Sequence, residues 1–465
     1  MSPFLRVTVP VILLLVIFVT SAIICFVSGG GGGVIILLCV ILLALCFYLP
    51  VGARLRTRRY FMPRPLAFHF DGDCAERFSK VQKVFEKNFR DGWEVEGAAF
   101  CVYLDGEKVI DIWGGYADSS SHRRWKSDTM TTCFSSTKGV AAICFAMLVD
   151  RGLVSYDDLV AKHWPEFGKN GKENITIKTL LSHQGGLAYV DGVILADDIT
   201  DHTRMSKILE DQLPNWPPGE KTGYHALTFG WLLDQLIRRI DPEKRSVSRF
   251  FREEIGDPND IEFYIGLPPA LDHKVARLSN TTIKRMLREA FEQPVILKMV
   301  WYFLRSSKAS NFHRIGKNVA WMGTDITMFN NPELRAMEIP AANGVGTARG
   351  LAKINSLVAE GKIIRQETLD IIKEPVLIEE YDTTLGFTES KGWGLHYTKS
   401  PQNDWIFGHP GMGGQNVKID LKNRLAFAYI SNGLKAGVGD YTGTFKRLQT
   451  ALYECLSDTQ TAAKL

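Results

Sequence analysis

The stretch Phe134-Ser-Ser-Thr-Lys-Gly-Val140 sets a serine and a lysine three residues apart at the mouth of a long apolar run. If Ser135 opens a helix, Lys138 lies over the same face and its amine reaches the Ser135 hydroxyl. Such a pair is a nucleophile beside a base, on one condition. Lysine takes a proton from serine only when burial or a neighbouring cation lowers its pKa from about 10.4 towards neutrality. The residues that follow provide burial: Val140 to Val149 is apolar on every side, the pattern of a helix through the middle of a domain. A second reading has Ser135 capping that helix and Lys138 solvated on its first turn. The stretch alone leaves both open.

The elements that must position this pair are legible on either side of it. Phe78, Val81, Val84 and Phe85 have helical spacing over Phe78 to Asp91. Gly97 to Tyr103 and Lys108 to Gly114 then read as two strands joined through Asp105-Gly106, a hairpin signal. After the central helix come short amphipathic segments over Leu153 to Pro165 and over Thr176 to Ser182, the second expected to close at the glycines of His183-Gln-Gly-Gly. Pro217-Pro-Gly opens a loop to Tyr224, followed by a helix lined by Leu227, Phe229, Leu232, Leu233, Leu236 and Ile237. Residues 241 to 340 read as helix in pieces, and their aromatic knot Trp301-Tyr-Phe-Leu304 is expected in the core rather than on an exposed lid or membrane-touching patch. Gly344 to Leu351 leads into a helix over Ala348 to Glu360 but lacks a preceding strand and the Gly-Lys-Ser/Thr of a phosphate loop. The chain ends in strands over Gly392 to Thr398, Asp404 to Gly408, Asn416 to Leu421 and Arg424 to Ser431, and a helix over Tyr441 to Leu456. Strands at both ends with helices between predict an α/β (α+β) fold. One antiparallel sheet is formed from both ends of the chain and flanked by helices, with a mostly helical domain inserted. The nucleophile is expected where the two meet.

Three separated stretches occur in order: Ser135-x-x-Lys138, Tyr224-His225-Ala226, and His409-Pro410-Gly411. Together with Leu180-Leu-Ser-His-Gln-Gly-Gly-Leu187 and Ile339-Pro-Ala-Ala-Asn-Gly-Val-Gly-Thr-Ala-Arg349, over roughly residues 70 to 455, this order resembles the serine β-lactamase and penicillin-binding-protein superfamily. Within it the chain is most similar to class C β-lactamases and family VIII esterases. The resemblance implies that Ser135 attacks a carbonyl and forms an acyl-enzyme, with Lys138 as base. It implies that Tyr224 helps to deprotonate Ser135 and later activates water, which requires Lys138 and His409 nearby to favour a phenolate. The backbone N–H groups of Ser135 and Met412 would form an oxyanion hole, and Gly411 would let substrate approach the strand after His409. Where class C enzymes carry Tyr-x-Asn, this chain has Ala226, which holds no substrate amide through its side chain. Esters are therefore favoured over lactams. No Gly-x-Ser-x-Gly elbow and no zinc-ligand spacing occurs, and no cofactor or metal is expected.

The start of the chain reads differently. Val9 to Ser28 and Val34 to Pro50 are uncharged apolar stretches, separated by Gly29 to Gly33, each near the length that crosses a bilayer. Arg54, Arg56, Arg58, Arg59 and Arg64 follow, with only Arg6 before. By the positive-inside tendency the arginine cluster and the catalytic domain belong in the cytosol. The expected organisation is a membrane anchor of one or two spans with its basic flank over residues 1–65, a hydrolase domain over 66–457, and a tail over 458–465. Without the six arginines the formal net charge of +4 becomes −2, so no nucleic-acid surface is implied. Cys74, Cys101, Cys133, Cys144 and Cys455 show no disulfide framework, as in a reducing compartment, while the sequons at Asn174 and Asn280 pull towards a lumen. The function expected is a membrane-anchored serine hydrolase acting on a small-molecule ester or amide. The alternatives are a secreted or lumenal hydrolase released from a signal peptide, and a non-catalytic scaffold of the kind the superfamily's filament-forming mitochondrial member in animals represents.

Overall fold

The structure is a computed structural model that describes residues 67–305, 310–323 and 325–462. Both expected membrane segments, and the rest of the anchor up to residue 65, lie outside the described residues. Among those described, no helix is long and apolar enough to cross a membrane.

Residues from the two ends of the described chain interleave in one antiparallel sheet. Its order is β1 (Phe70–Cys74), β3 (Glu107–Asp118), β2 (Gly97–Leu104), β13 (Leu425–Ser431), β12 (Asn416–Asp420), β11 (Trp405–Gly408), β10 (Leu395–Lys399), β9 (Thr388–Gly392) and β8 (Leu377–Tyr381), with the two-residue β4 (Arg123–Arg124) on the flank of β3. The join between the chain ends is β2 against β13, in a register that sets Phe100 opposite Tyr429 and Val102 opposite Phe427. The β2–β3 hairpin turns at Asp105 (φ 50°) and Gly106 (φ 79°), the left-handed pair that a two-residue turn needs.

Strand alternation sends β2 into two cores. Ala98, Phe100 and Val102 face α1 (Ser79–Arg90) and the carboxy-terminal α9 (Gly443–Ala462), where Phe85, Phe89, Phe445 and Leu452 are buried. Ala99, Cys101 and Tyr103 face the other way, towards the central helix α2 (Ser136–Asp150) and α8 (Ala348–Ala359). Every residue of α2 from Ser136 to Leu148 is buried, which explains a sequence with no polar face. Between the strand groups lies the expected helical insertion, including α3 (Ile177–Leu181), α4 (Thr228–Ile240), α5 (Ile283–Glu292), α6 (Val295–Arg305) and α7 (Asn311–Asn318). A three-stranded sheet of β5 (Thr131–Thr132), β7 (Val345–Gly346) and β6 (Phe263–Tyr264) ties it to the start of α2.

Four local expectations change. The strand read over Gly392 to Thr398 is broken at Trp393 (φ 57°) and Gly394 (φ 79°), which form a hairpin turn between β9 and β10. α3 is closed by His183, which takes the left-handed conformation (φ 60°) itself rather than leaving it to Gly185 and Gly186. A strand, β7, does precede α8, although it is two residues long. Trp301 is not in the core: it is exposed on α6, whereas Ile296 and Met299 of the same helix are buried.

Candidate active site

The turn from β5 into α2 is held by its neighbours in an unusual backbone state. Phe134, buried and edge-on to Phe329 at 5.8 Å, has φ 47°, a left-handed conformation that non-glycine residues adopt where surrounding contacts enforce it. The enforcing contacts are Cys133 N–H to Gly344 O (2.7 Å), Gly344 N–H to Thr137 Oγ1 (2.9 Å), and Thr137 Oγ1–H to Phe134 O (2.5 Å). Ser135 therefore occupies the N-cap position of α2, but its side chain makes no capping hydrogen bond. The hydroxyl faces a cavity instead.

Lys138 is fully buried, and its Nζ lies 3.4 Å from Ser135 Oγ. The same nitrogen donates to Ala226 O (2.7 Å) and Ala341 O (2.8 Å). A neutral amine has two N–H donors and one lone pair, so two carbonyls take both donors and leave the lone pair for the serine proton. Desolvation pushes the Lys138 pKa well below its ordinary value, with no carboxylate countering it. The solvated reading of this lysine is excluded.

Tyr224 is buried against the same pair, its hydroxyl hydrogen-bonded with Ser135 and the Lys138 nitrogen 4.7 Å from its ring centroid. Burial pushes the phenol pKa far up, which the Ser135 hydrogen bond only partly offsets. The phenolate expected from the sequence is therefore disfavoured, because the amine beside it is itself desolvated towards neutrality. The Tyr224 backbone is positioned by groups that nothing in the sequence marked. Its N–H donates to Asp382 Oδ1 (3.0 Å), which also accepts from the amides of Thr384 (2.8 Å) and Leu385 (2.9 Å), while Asp382 Oδ2 pairs with Lys391. Both charges are fully buried. Next along, His225 donates from Nδ1 to Gly223 O (2.7 Å) and accepts at Nε2 from Leu187 N–H (2.9 Å), a neutral tautomer consistent with burial lowering its pKa to about 4.

The third stretch closes the site from the sheet. β11 ends at Gly408, and His409 O accepts from Ser136 Oγ at 2.9 Å, linking the strand end to the first turn of α2. Gly139 makes room for this approach, since a Cβ there would sit 3.1 Å from His409 Cβ. A Cβ on Gly411 would sit 2.4 Å from Cys133 O, so this position demands glycine for space. His409 is buried, donates from Nδ1 to Pro410 O (2.8 Å), and stands beside Tyr224 with ring centroids 6.1 Å apart. Burial pushes its imidazole pKa well down. His396 of β10, which the sequence did not single out, packs against both: 4.3 Å from His409 and 5.9 Å from Tyr224 between ring centroids. Met412 lies partly exposed on the cavity wall, and neither its amide nor that of Ser135 donates to an acceptor among the described residues. The structure thus gathers all six residues singled out in the sequence into one place.

The cavity over these groups has a volume of about 600 Å³. Ile296, Met299, Phe312, Ile315, Met328 and Phe329 contribute to a wall that is mostly apolar, and Ala226 leaves the substrate side of Tyr224 without an amide. No group of His, Cys, Asp or Glu side chains arranged to hold a metal is found among the described residues.

The sequence profile of the β-lactamase family matches residues 85–451. Over 379 residues, 78% of this chain and 83% of the relative, the sequence is 31% identical to the esterase/β-lactamase LipL of Mycobacterium tuberculosis. Among solved structures, a family VIII carboxylesterase superposes with a TM-score of 0.72 at 32% identity, covering 83% of this chain and 100% of that one. A penicillin-binding-protein homologue from Caulobacter crescentus gives 0.68 at 31% identity, with the same coverage of both chains.

Proposed function

The chain belongs to the β-lactamase family and is a serine hydrolase of that type, and from this premise we propose that it cleaves esters through an acyl-enzyme on Ser135. The observation that carries the reading is the buried Lys138 amine, 3.4 Å from Ser135 Oγ with both of its donors spent on carbonyls. Ser135 Oγ bonds to the acyl carbon as its proton passes to Lys138, and the carbonyl oxygen takes up negative charge before the amides of Ser135 and Met412. Collapse breaks the ester C–O bond. The leaving alkoxide receives a proton from Tyr224, which is replenished from the Lys138 ammonium, so the site returns to neutrality. Water then attacks the acyl-enzyme by the same proton route in reverse. Gly411 lets the strand end pack closely on Cys133 at the start of α2, and His409 packs behind Tyr224. Ala226 favours esters, because an amide of the substrate would find no side-chain partner there.

The apolar stretches 9–28 and 34–50, with the arginines after them, support attachment to a membrane with the catalytic domain on the cytosolic side. Labelling of purified protein with a fluorophosphonate probe, followed by peptide mapping, tests the chemistry directly. The label is expected on Ser135 and absent from Ser135→Ala. Ester turnover that survives in Ser135→Ala would exclude this mechanism.

A further inference from the structure

Two consecutive helices of the insertion expose large apolar side chains. Along α5, Ile283, Leu287 and Phe291 recur every fourth residue and are 74%, 57% and 90% exposed. On α6, Leu297 and Trp301 repeat the spacing and are 52% and 59% exposed. Scattered exposed leucines need no explanation, but five large apolar side chains at four-residue spacing on two consecutive helices are of the kind that marks an interaction surface. The inner side of α6 gives that patch a direction: Ile296 and Met299 are buried in the wall of the cavity that holds Ser135. One helix therefore separates the outside from the reaction chamber and is apolar on both faces.

Charge around the patch selects the occupant. Lys284 and Lys298 are exposed beside the apolar residues and make no ion pair among the described residues. The acids of the same helices are engaged elsewhere: Glu289 accepts from the amides of Ala436 (2.8 Å) and Gly437 (3.0 Å), and Glu292 pairs with Arg447 (2.8 Å). Arg288 lies over the Trp93 ring and donates to the carbonyls of Asp91 and Gly92. The face that remains is large apolar side chains bordered by lysines, which complements anionic headgroups over an acyl interior. A second copy of the chain paired through this face would bring the same lysines together.

We propose that α5 and α6 dock on an anionic lipid surface and deliver a lipid-borne ester, with a long apolar chain, into the Ser135 cavity. The delivery half rests on the esterase reading; the docking half does not.

The test uses the full chain reconstituted in phosphatidylcholine vesicles with or without phosphatidylserine. An aryl oleate in the vesicles is compared with a water-soluble aryl acetate. Leu287→Glu/Phe291→Glu is expected to lower oleate turnover by at least about tenfold while acetate turnover stays at the wild-type level, because neither residue lines the cavity. Lys284→Ala and Lys298→Ala should each cost about fivefold on oleate, only in vesicles with phosphatidylserine and only at low salt. Independently of catalysis, hydrogen exchange over residues 283–305 should slow when phosphatidylserine is present, in wild type and in Ser135→Ala alike. Equal losses on both esters, or no loss on either, would overturn the proposal, as would unchanged exchange. A dimer that dissociates in Leu287→Glu/Phe291→Glu, with oleate turnover intact, would assign the face to self-association instead. Protection without turnover of either ester would sink the esterase reading and leave the docking face standing.

Discussion

The buried pair Asp382 and Lys391 offers the most exacting test of how the site is held, because it separates the charge of a supporting group from its hydrogen bonds. Asp382→Asn keeps an oxygen for the amides of Tyr224, Thr384 and Leu385 but leaves the fully buried Lys391 ammonium only the longer contact to Glu389 Oε2 (3.8 Å). Lys391→Met strands the carboxylate. Each single change should cost about 3–5 kcal/mol, the usual penalty for leaving one buried charge uncompensated. The double change Asp382→Asn/Lys391→Met removes both charges and should recover to within about 2 kcal/mol of wild type. At about 2 cal/mol/K per residue over roughly 400 residues, 4 kcal/mol lowers the melting temperature by about 5 °C, readily measured by calorimetry and by urea unfolding. Ester turnover should follow folding: impaired in the singles at assay temperature, and within a few-fold of wild type in the double, because Tyr224 N–H keeps its acceptor. The pH dependence has a definite sign. Burial alone would raise the Asp382 pKa, but Lys391 and the backbone amides outweigh it and hold the carboxyl below its ordinary range. The pair's stabilisation is thus complete above about pH 4, the unfolded value, and lost as pH falls through the lower folded value. The double variant should lack that component of acid unfolding. Additive destabilisation in the double would refute the view that the two charges serve mainly to satisfy each other.

Four further outcomes bear on the chemistry. Lys138→Ala should reduce turnover at least about a thousandfold, and adding it to Ser135→Ala should cost almost nothing more, as for residues that act as a unit. Because burial holds the Lys138 amine below its ordinary range, kcat/KM should fall on the acid side as the amine takes up a proton and be level above that; a profile still rising near pH 10 would mean an ordinary lysine. Tyr224→Phe should slow both acylation and deacylation while leaving the melting temperature near wild type, and burst kinetics would show which step suffers more. Ala226→Asn places an amide on the cavity wall and should raise turnover of a β-lactam relative to an aryl acetate; an unchanged ratio would place the discrimination elsewhere.

Much of this site could be read from the sequence because its chemistry is carried by short local patterns. Ser135-x-x-Lys138 is a single helical turn, and the apolar run behind it announced the burial that desolvates the lysine. Tyr224 and His409 were placed by order and by the glycines and prolines beside them. What could not be read is whatever depends on contacts across the fold. Asp382 and Lys391 sit in a polar stretch typical of a solvated loop, and only the packing of β9 against the Tyr224 loop buries them. β8 was missed for a related reason: Leu-Ile-Glu-Glu-Tyr at a sheet edge has little to bury and so no apolar alternation. His396 follows Trp393-Gly394-Leu395, where a turn within an apparently continuous strand hid which residues face the site.

The burial of Lys138 has a further consequence for how the two halves of the molecule cooperate. Its two carbonyl partners come from two separate parts of the insertion: Ala226 from the loop before α4, and Ala341 from the segment before β7. The insertion is therefore what satisfies the amine, and the sheet, through His409 O and Ser136, is what fixes the helix that carries it. If either half shifted, water would reach Nζ, its pKa would climb back towards that of a free lysine, and the base would be lost at neutral pH. Catalytic competence in this arrangement is thus a direct report on the closure of the insertion against the sheet. The same insertion builds the apolar wall through α6 and α7, so substrate binding in the cavity and the state of the base are governed by one packing interface. A substrate that fills the chamber with apolar chain packs against that wall and so holds the insertion against the sheet; it should raise kcat as well as lower KM, whereas a short acyl group leaves that closure to the protein's own contacts and should be turned over more slowly.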